Sequence, residues 1–133
     1  VLLPIDHVVA QEIKEGAPFQ TTSGKDIPSG WMGLDIGPKT LDQFTAALQG
    51  AGTALWNGPL GVFEISPFDR GTLGMAKALS ELKAWTVVGG GDSLAAVKLS
   101  GVEGKIGHLS TGGGATLEYL EGKVLPGLKA LEV

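Results

Sequence analysis

Four times along this chain a short apolar run ends in a glycine-bearing turn and passes into a segment of helical periodicity. "WMGLDIG" (Trp31–Gly37) leads into "PKTLDQFTAALQG", and "GTALWNG" (Gly52–Gly58) leads through a loop into the segment ending at Leu82. "AWTVVGGGD" then precedes "SLAAVKLSG", and "KIGHLSTGGG" precedes "ATLEYLEG". Strand-then-helix alternation at this spacing predicts an α/β fold, a parallel sheet covered by helices. Right-handed crossovers follow by default.

The individual elements carry their own signals. Val1 to Ala10 reads as a buried strand, and the polar stretch to Gly30 as a loop with one short extended piece near Phe19–Thr22. After Gly37, Leu41, Phe44 and Leu48 share a helix face, and Thr40 with Gln43 makes a capping-box pattern. Ser66-Pro67-Phe68-Asp69 reads as a helix start, with proline at the first helical position and an acid at the third. Phe68, Met75, Leu79 and Leu82 mark the apolar face that follows. Trp31, Trp56 and Trp85 are strand-borne and expected in the core, and His108 is expected to be a packed histidine.

At 133 residues the chain holds about one domain. Its 43% hydrophobic and 18% charged residues are a folded protein's balance, not a disordered one's. A net charge of −4 without a basic run argues against a nucleic-acid partner. With no cysteine and two histidines, neither a disulfide framework nor a zinc site is expected. The opening "VLLPIDHVVA" is too short for a membrane span and lacks a signal peptide's basic flank. It begins without methionine in a strand-like run, as expected of a chain that starts inside a larger protein.

Glycine is the outlier, at 22 residues against a usual share of ~7%, and it clusters where strands end. Ligands of parallel α/β sheets gather outside those strand ends, where loops enter helices. "WNGPLGVFE", "VVGGGDS" and "LSTGGGA" share that address. Uncapped N–H groups at a helix start attract anions, and glycine lets a phosphate approach the backbone. Asp92 would repel a phosphate unless a cation stood between them, and Mg²⁺ commonly binds through one or two carboxylates plus phosphates. Gly90, Gly91, Asp92 and Ser93 therefore read as a phosphate cradle with a metal-facing acid. The bland alternative is a tight turn with Asp92 or Ser93 capping the helix. Asn57 is either part of an ordinary turn or a phosphate contact, and Glu64 either an exposed acid or a ribose ligand. No GxxxxGK[ST] run is present, and "GGGDSLAAV" does not fit GxGxxG, so NAD is not favoured.

Taken in order and spacing, "DIGPKT", "WNGPLGVFE", "VVGGGDSLAAV" and "HLSTGGGATLEYLEGKVLPGL" resemble the phosphoglycerate kinase family across essentially the whole chain. The resemblance implies a three-layer α/β/α, Rossmann-like parallel sheet forming part of the C-terminal, nucleotide-binding domain of a two-domain kinase. It implies reversible phosphoryl transfer from 1,3-bisphosphoglycerate to Mg-ADP, giving ATP and 3-phosphoglycerate, in a cytoplasmic and monomeric complete enzyme. Position by position, Gly33 resembles a wall of the adenine pocket. Asn57 and Pro59 resemble contacts to phosphate and nucleoside, and Glu64 the ribose-hydroxyl ligand. Gly90, Gly91, Asp92 and Ser93 resemble the phosphate and Mg²⁺ loop, with Asp92 on the metal. Gly112, Gly113 and Gly114 resemble the helix start that meets the transferred phosphoryl group.

The departures from the family pattern are omissions. The basic N-terminal domain that takes the phosphoglycerate is not in this sequence, nor is the "GGAK"-type loop that brings a lysine to the phosphates. By itself the chain is therefore expected to bind weakly and turn nothing over. A non-catalytic nucleotide-binding or interaction module is the alternative from another class. A purely structural α/β piece would require the glycine loops to bind no anion.

Overall fold

The apolar run at the head of the chain becomes a strand only over its last four residues. In the computed structural model, which describes residues 1–132, β1 is His7–Ala10, with Val8, Val9 and Ala10 buried. It pairs antiparallel with β2 (Phe19–Thr21) on one side and β3 (Met32–Ile36) on the other. The expected strand from Val1 does not form, and Val1, Leu2, Leu3 and Ile5 are exposed. The N–H groups of Ile5 and Asp6 donate instead to the Thr40 hydroxyl at 3.0 and 3.1 Å. That part of the chain is therefore tied to a helix and not to a strand.

The helix is α1 (Pro38–Leu48), and its start corrects the expected capping box. Gly37 occupies the cap position without any side-chain bond, while Thr40 lies inside the first turn. The cap is supplied from far along the chain. Asp6 accepts the N–H groups of Lys39 and Thr40 at 3.0 and 2.8 Å and the Thr40 hydroxyl at 2.6 Å. Burial pushes the Asp6 carboxyl up. The three Thr40 and Lys39 hydrogen bonds and the Lys39 charge outweigh it and hold the group below its ordinary value. Leu41, Phe44 and Leu48 pack against the main core as their spacing predicts.

β4 (Thr53–Asn57), β5 (Trp85–Gly89) and β6 (His108–Ser110) form the parallel sheet in that order, flanked by helices. The helices of this half are α2 (Arg70–Glu81), α3 (Gly91–Ser100) and α4 (Gly113–Leu120), with a short α5 (Pro126–Lys129) beyond. Trp56, Phe63, Met75, Leu79, Val88 and Val97 are buried together in the core of this half. Each contributes about 1.5–3 kcal/mol if buried completely. A smaller core of Val8, Ala10, Leu34 and Phe68 lies against the antiparallel sheet.

Three further expectations are corrected. Helix α2 begins at Arg70, not at Ser66-Pro67, because Phe68 is drawn into the smaller core and the helix starts only after it. Trp56 is 7% exposed, as a core residue should be, but Trp85 is 57% exposed at the first position of β5. His108 is exposed rather than packed, since β6 borders the sheet and buries none of its three residues fully. The antiparallel sheet is the feature that a reading of βα alternation does not contain.

Candidate functional site

Parallel pairing puts the carboxyl ends of three strands in one row. Asn57 of β4 stands opposite Gly89 of β5, and Gly89 opposite Ser110 of β6. From that row the loops rise together, and Gly90 closes on its neighbour by donating its N–H to the Ser110 carbonyl at 3.0 Å. Gly90 has a φ of 96°, a conformation open to glycine and strained for a side chain.

Helix α3 starts at Gly91 with Gly90 as its cap, and α4 starts at Gly113 with Gly112 as its cap. Neither cap residue makes a side-chain hydrogen bond to its helix. The bland reading in which Asp92 or Ser93 caps α3 is thus replaced, for both lie within its first turn. Uncapped first-turn N–H groups of two adjacent helices carry partial positive charge toward the same row of strand ends.

Packing separates the glycines into two kinds. At Gly113 a β-carbon would fall 2.6 Å from Asn57 Oδ1 and 2.7 Å from the Gly90 Cα, so this glycine exists for close approach of the three loops. At Gly91 and Gly114 a β-carbon would meet nothing within 4 Å, and these backbones face open space. Ser93, only 1% exposed, accepts the Gly58 N–H at 2.7 Å and so ties the Asn57-Gly58-Pro59 turn to α3. Asp92 is exposed, in the first turn of α3. No cluster of three or more His, Cys, Asp or Glu suited to a metal exists among the described residues. A divalent cation there would be shared between one carboxylate and a ligand's oxygens, which is how Mg²⁺ usually binds.

Asn57, Gly90, Asp92, Ser93 and Gly112 to Gly114 are thus brought to one place. Gly33 and Pro59 meet in a second one, a concavity of about 460 Å³ lined also by Pro4, His7, Leu34, Asp35 and Val62. The Asn57–Pro59 turn joins the two. Glu64 is exposed and lines neither. Sequence reasoning missed the Ser110 carbonyl and the role of Ser93 as a tie between loops. It also missed Asp35, buried at 4% exposure and accepting the N–H groups of Ile36 and Gly71. An acid inside the apolar run "WMGLDIG" was the available signal. Burial, opposed by those two bonds and aided by nearby Asp69, raises the Asp35 carboxyl to about 6.

Fold and site together define a parallel α/β domain with two glycine-lined helix starts converging at the strand ends. The chain belongs to the phosphoglycerate kinase family, whose model, described as "Phosphoglycerate kinase", matches residues 1–123. The phosphoglycerate kinase of Moorella thermoacetica is 57% identical over 131 residues, 98% of this chain and 33% of that protein. That of Lacticaseibacillus casei is 58% identical over 132 residues, again 98% of this chain and 33% of the relative. Among solved structures, phosphoglycerate kinase from Coxiella burnetii superposes with a TM-score of 0.88 at 41% identity, over 96% of this chain and 32% of that one. The enzyme from Pyrococcus horikoshii OT3 gives 0.81 at 34% identity, over 96% of this chain and 31% of that one. The chain spans about a third of the length of the relatives it matches.

Proposed function

We propose that this chain is the part of a phosphoglycerate kinase that holds Mg-ADP or Mg-ATP, serving reversible phosphoryl transfer between 1,3-bisphosphoglycerate and ADP in glycolysis in the cytoplasm. The observation that carries the reading is the convergence of Asn57, Gly90–Ser93 and Gly112–Gly114 at one row of strand ends, with open backbone at Gly91 and Gly114. Phosphates of the nucleotide lie along these two helix starts, where N–H groups meet them without a side chain between. Asp92 holds the metal, which when bound neutralises phosphate charge. Gly33 and Pro59 wall the concavity that takes the base, and Glu64 reaches a ribose hydroxyl from outside it.

In the transfer, an oxygen of the ADP β-phosphate attacks the phosphorus of the acyl phosphate. The bond from that phosphorus to the carboxyl oxygen breaks, leaving 3-phosphoglycerate as a carboxylate. Little covalent work is asked of the protein, so catalysis rests on positioning and on stabilising charge. At the Gly112–Gly114 helix start, Gly113 and Gly114 supply N–H groups to the phosphoryl group in flight, while the Gly112 N–H is held by the Ser110 hydroxyl at 3.3 Å. The phosphoglycerate side is contributed by the portion of the relatives' length that lies outside this sequence.

Calorimetric titration of the chain with ADP, with and without Mg²⁺, tests the reading. Mg-dependent binding that disappears in Asp92→Ala is the expected result. Binding that ignores both the metal and the substitution overturns the assignment of Asp92, and no binding by a cooperatively folded chain overturns an autonomous nucleotide site.

A further inference from the structure

The turn that carries Pro59 is fixed from three sides. The Val62 N–H donates to the Leu34 carbonyl of β3 at 2.8 Å, and Leu60 and Gly61 donate to the Thr72 hydroxyl of α2 at 3.0 and 3.2 Å. The third side is Asp35. Its Oδ2 accepts the Gly71 N–H at the start of α2 at 2.7 Å, and its Oδ1 accepts the Ile36 N–H at 2.8 Å. Gly61 and Gly71 both lie against this carboxylate so closely that a β-carbon at either would collide with Oδ1. The group therefore sits where β3, the turn and α2 meet, and it lines the concavity of Gly33 and Pro59.

A carboxylate is an expensive filler for such a place. Burial without a cation costs several kcal/mol unless hydrogen bonds offset it. The only ion pair among the described residues, Lys123 with Glu121, is elsewhere. The charges around Asp35 do not neutralise it. Asp69 of α2's cap repels it, and Arg70 sets its guanidinium over the Phe19 ring at 5.9 Å. From β1, Val8 stands opposite Asp35 with His7 beside it, and Glu64 beyond the turn is exposed. Two short bonds to backbone N–H groups offset part of the cost of the ion, but burial outweighs them, so the neutral acid is the form the site holds more readily.

We propose that Asp35 is a positioning residue whose buried carboxyl holds the start of α2 against β3 and, through the Thr72 hydroxyl of α2, the Pro59–Val62 turn, so setting the concavity in which the nucleotide base sits. The clamp rests on the contacts above; its consequence for affinity rests on the nucleotide reading. Because the site favours the neutral acid, ionisation strains this arrangement, draws the carboxylate toward water and lets the turn move away from Gly33. The carboxyl's value of about 6 brings that change close to neutral pH.

The test is a titration of the chain from about pH 5 to about pH 8, followed by amide resonances, with MgADP affinity measured at both ends. His7→Gln is measured alongside, because the His7 side chain also lines the concavity. The amides of Ile36, Gly61, Val62 and Gly71 are expected to move together with the midpoint of the Asp35 carboxyl carbon. MgADP is expected to bind roughly fivefold more weakly at the alkaline end. Both effects should persist in His7→Gln and vanish in Asp35→Asn. The carboxyl-carbon signal belongs to the wild type, so the comparison stands even if Asp35→Asn does not fold. Gly61 and Val62 amides that ignore the Asp35 midpoint overturn the clamp. MgADP affinity equal at both ends overturns its link to binding. If no MgADP binds at either pH, the nucleotide reading falls, and the amide titration decides the clamp by itself.

Discussion

The buried hydroxyl of Ser93 accepts the backbone N–H of Gly58 at 2.7 Å, joining the first turn of α3 to the loop after β4 across 35 residues of sequence. This single bond connects the phosphate-facing loops to the turn that carries Pro59. Ser93→Ala should cost about 1–2 kcal/mol, the penalty for leaving a part-buried N–H without its partner. Urea unfolding of the two proteins measures it, and Ser93→Thr, which keeps the hydroxyl, gauges how much of the loss belongs to the bond.

Gly113 and Gly114 are neighbours with opposite expectations. Gly113→Ala places a methyl on Asn57 Oδ1 and the Gly90 backbone, and should destabilise by about 1–3 kcal/mol as overpacking does. Gly114→Ala meets open space, so its stability should stay within about 0.5 kcal/mol of the parent. Its MgADP affinity should nevertheless fall, because the methyl occupies the approach to the helix start. Thermal unfolding and calorimetry on both variants separate packing from binding.

Two buried carboxylates give opposite pH dependences. Asp35 has a folded value near 6 against an ordinary 3.8, so the folded state holds its proton more tightly. Its contribution to stability is therefore greatest below about pH 4 and declines, by on the order of 2–3 kcal/mol, as pH rises to about 6. Asp6 is held below its ordinary value, so its contribution is present above that value and is lost on further acidification. Urea midpoints across this range should show the decline, and Asp35→Asn should flatten it.

Phe68 has no exposed surface and anchors the smaller core between the antiparallel sheet and the start of α2. Phe68→Ala should cost about 3–5 kcal/mol. Hydrogen exchange should show the loss concentrated in β1 and β3, with β5 protected longer, which identifies the two sheets as separate units of opening.

What could be read in advance followed the range of the forces involved. The four βα units were legible because periodicity and glycine punctuation act within a dozen residues. The meeting of Asn57, Gly90 and Gly113 was legible because parallel pairing aligns strand ends by construction. The helix starts were misread for the opposite reason. Thr40 has a capping-box neighbour in Gln43, yet the carboxylate that caps α1 is Asp6, 34 residues away. Asp35 likewise takes its partner Gly71 from 36 residues on. The antiparallel pairing of β1 escaped notice because β2 is only three residues long and wholly exposed. None of these partners leaves a mark at the position it serves.

The strand order β4-β5-β6 repeats the order of the chain, and the consequence is kinetic. Each strand of the parallel half adds beside the one made just before it, so no segment must be threaded between two that already lie together. Loop closure at every step spans one helix and its connections, and its entropic toll grows only slowly with length. The assembly can proceed in the direction of synthesis, with the last helices arriving on a sheet already laid down.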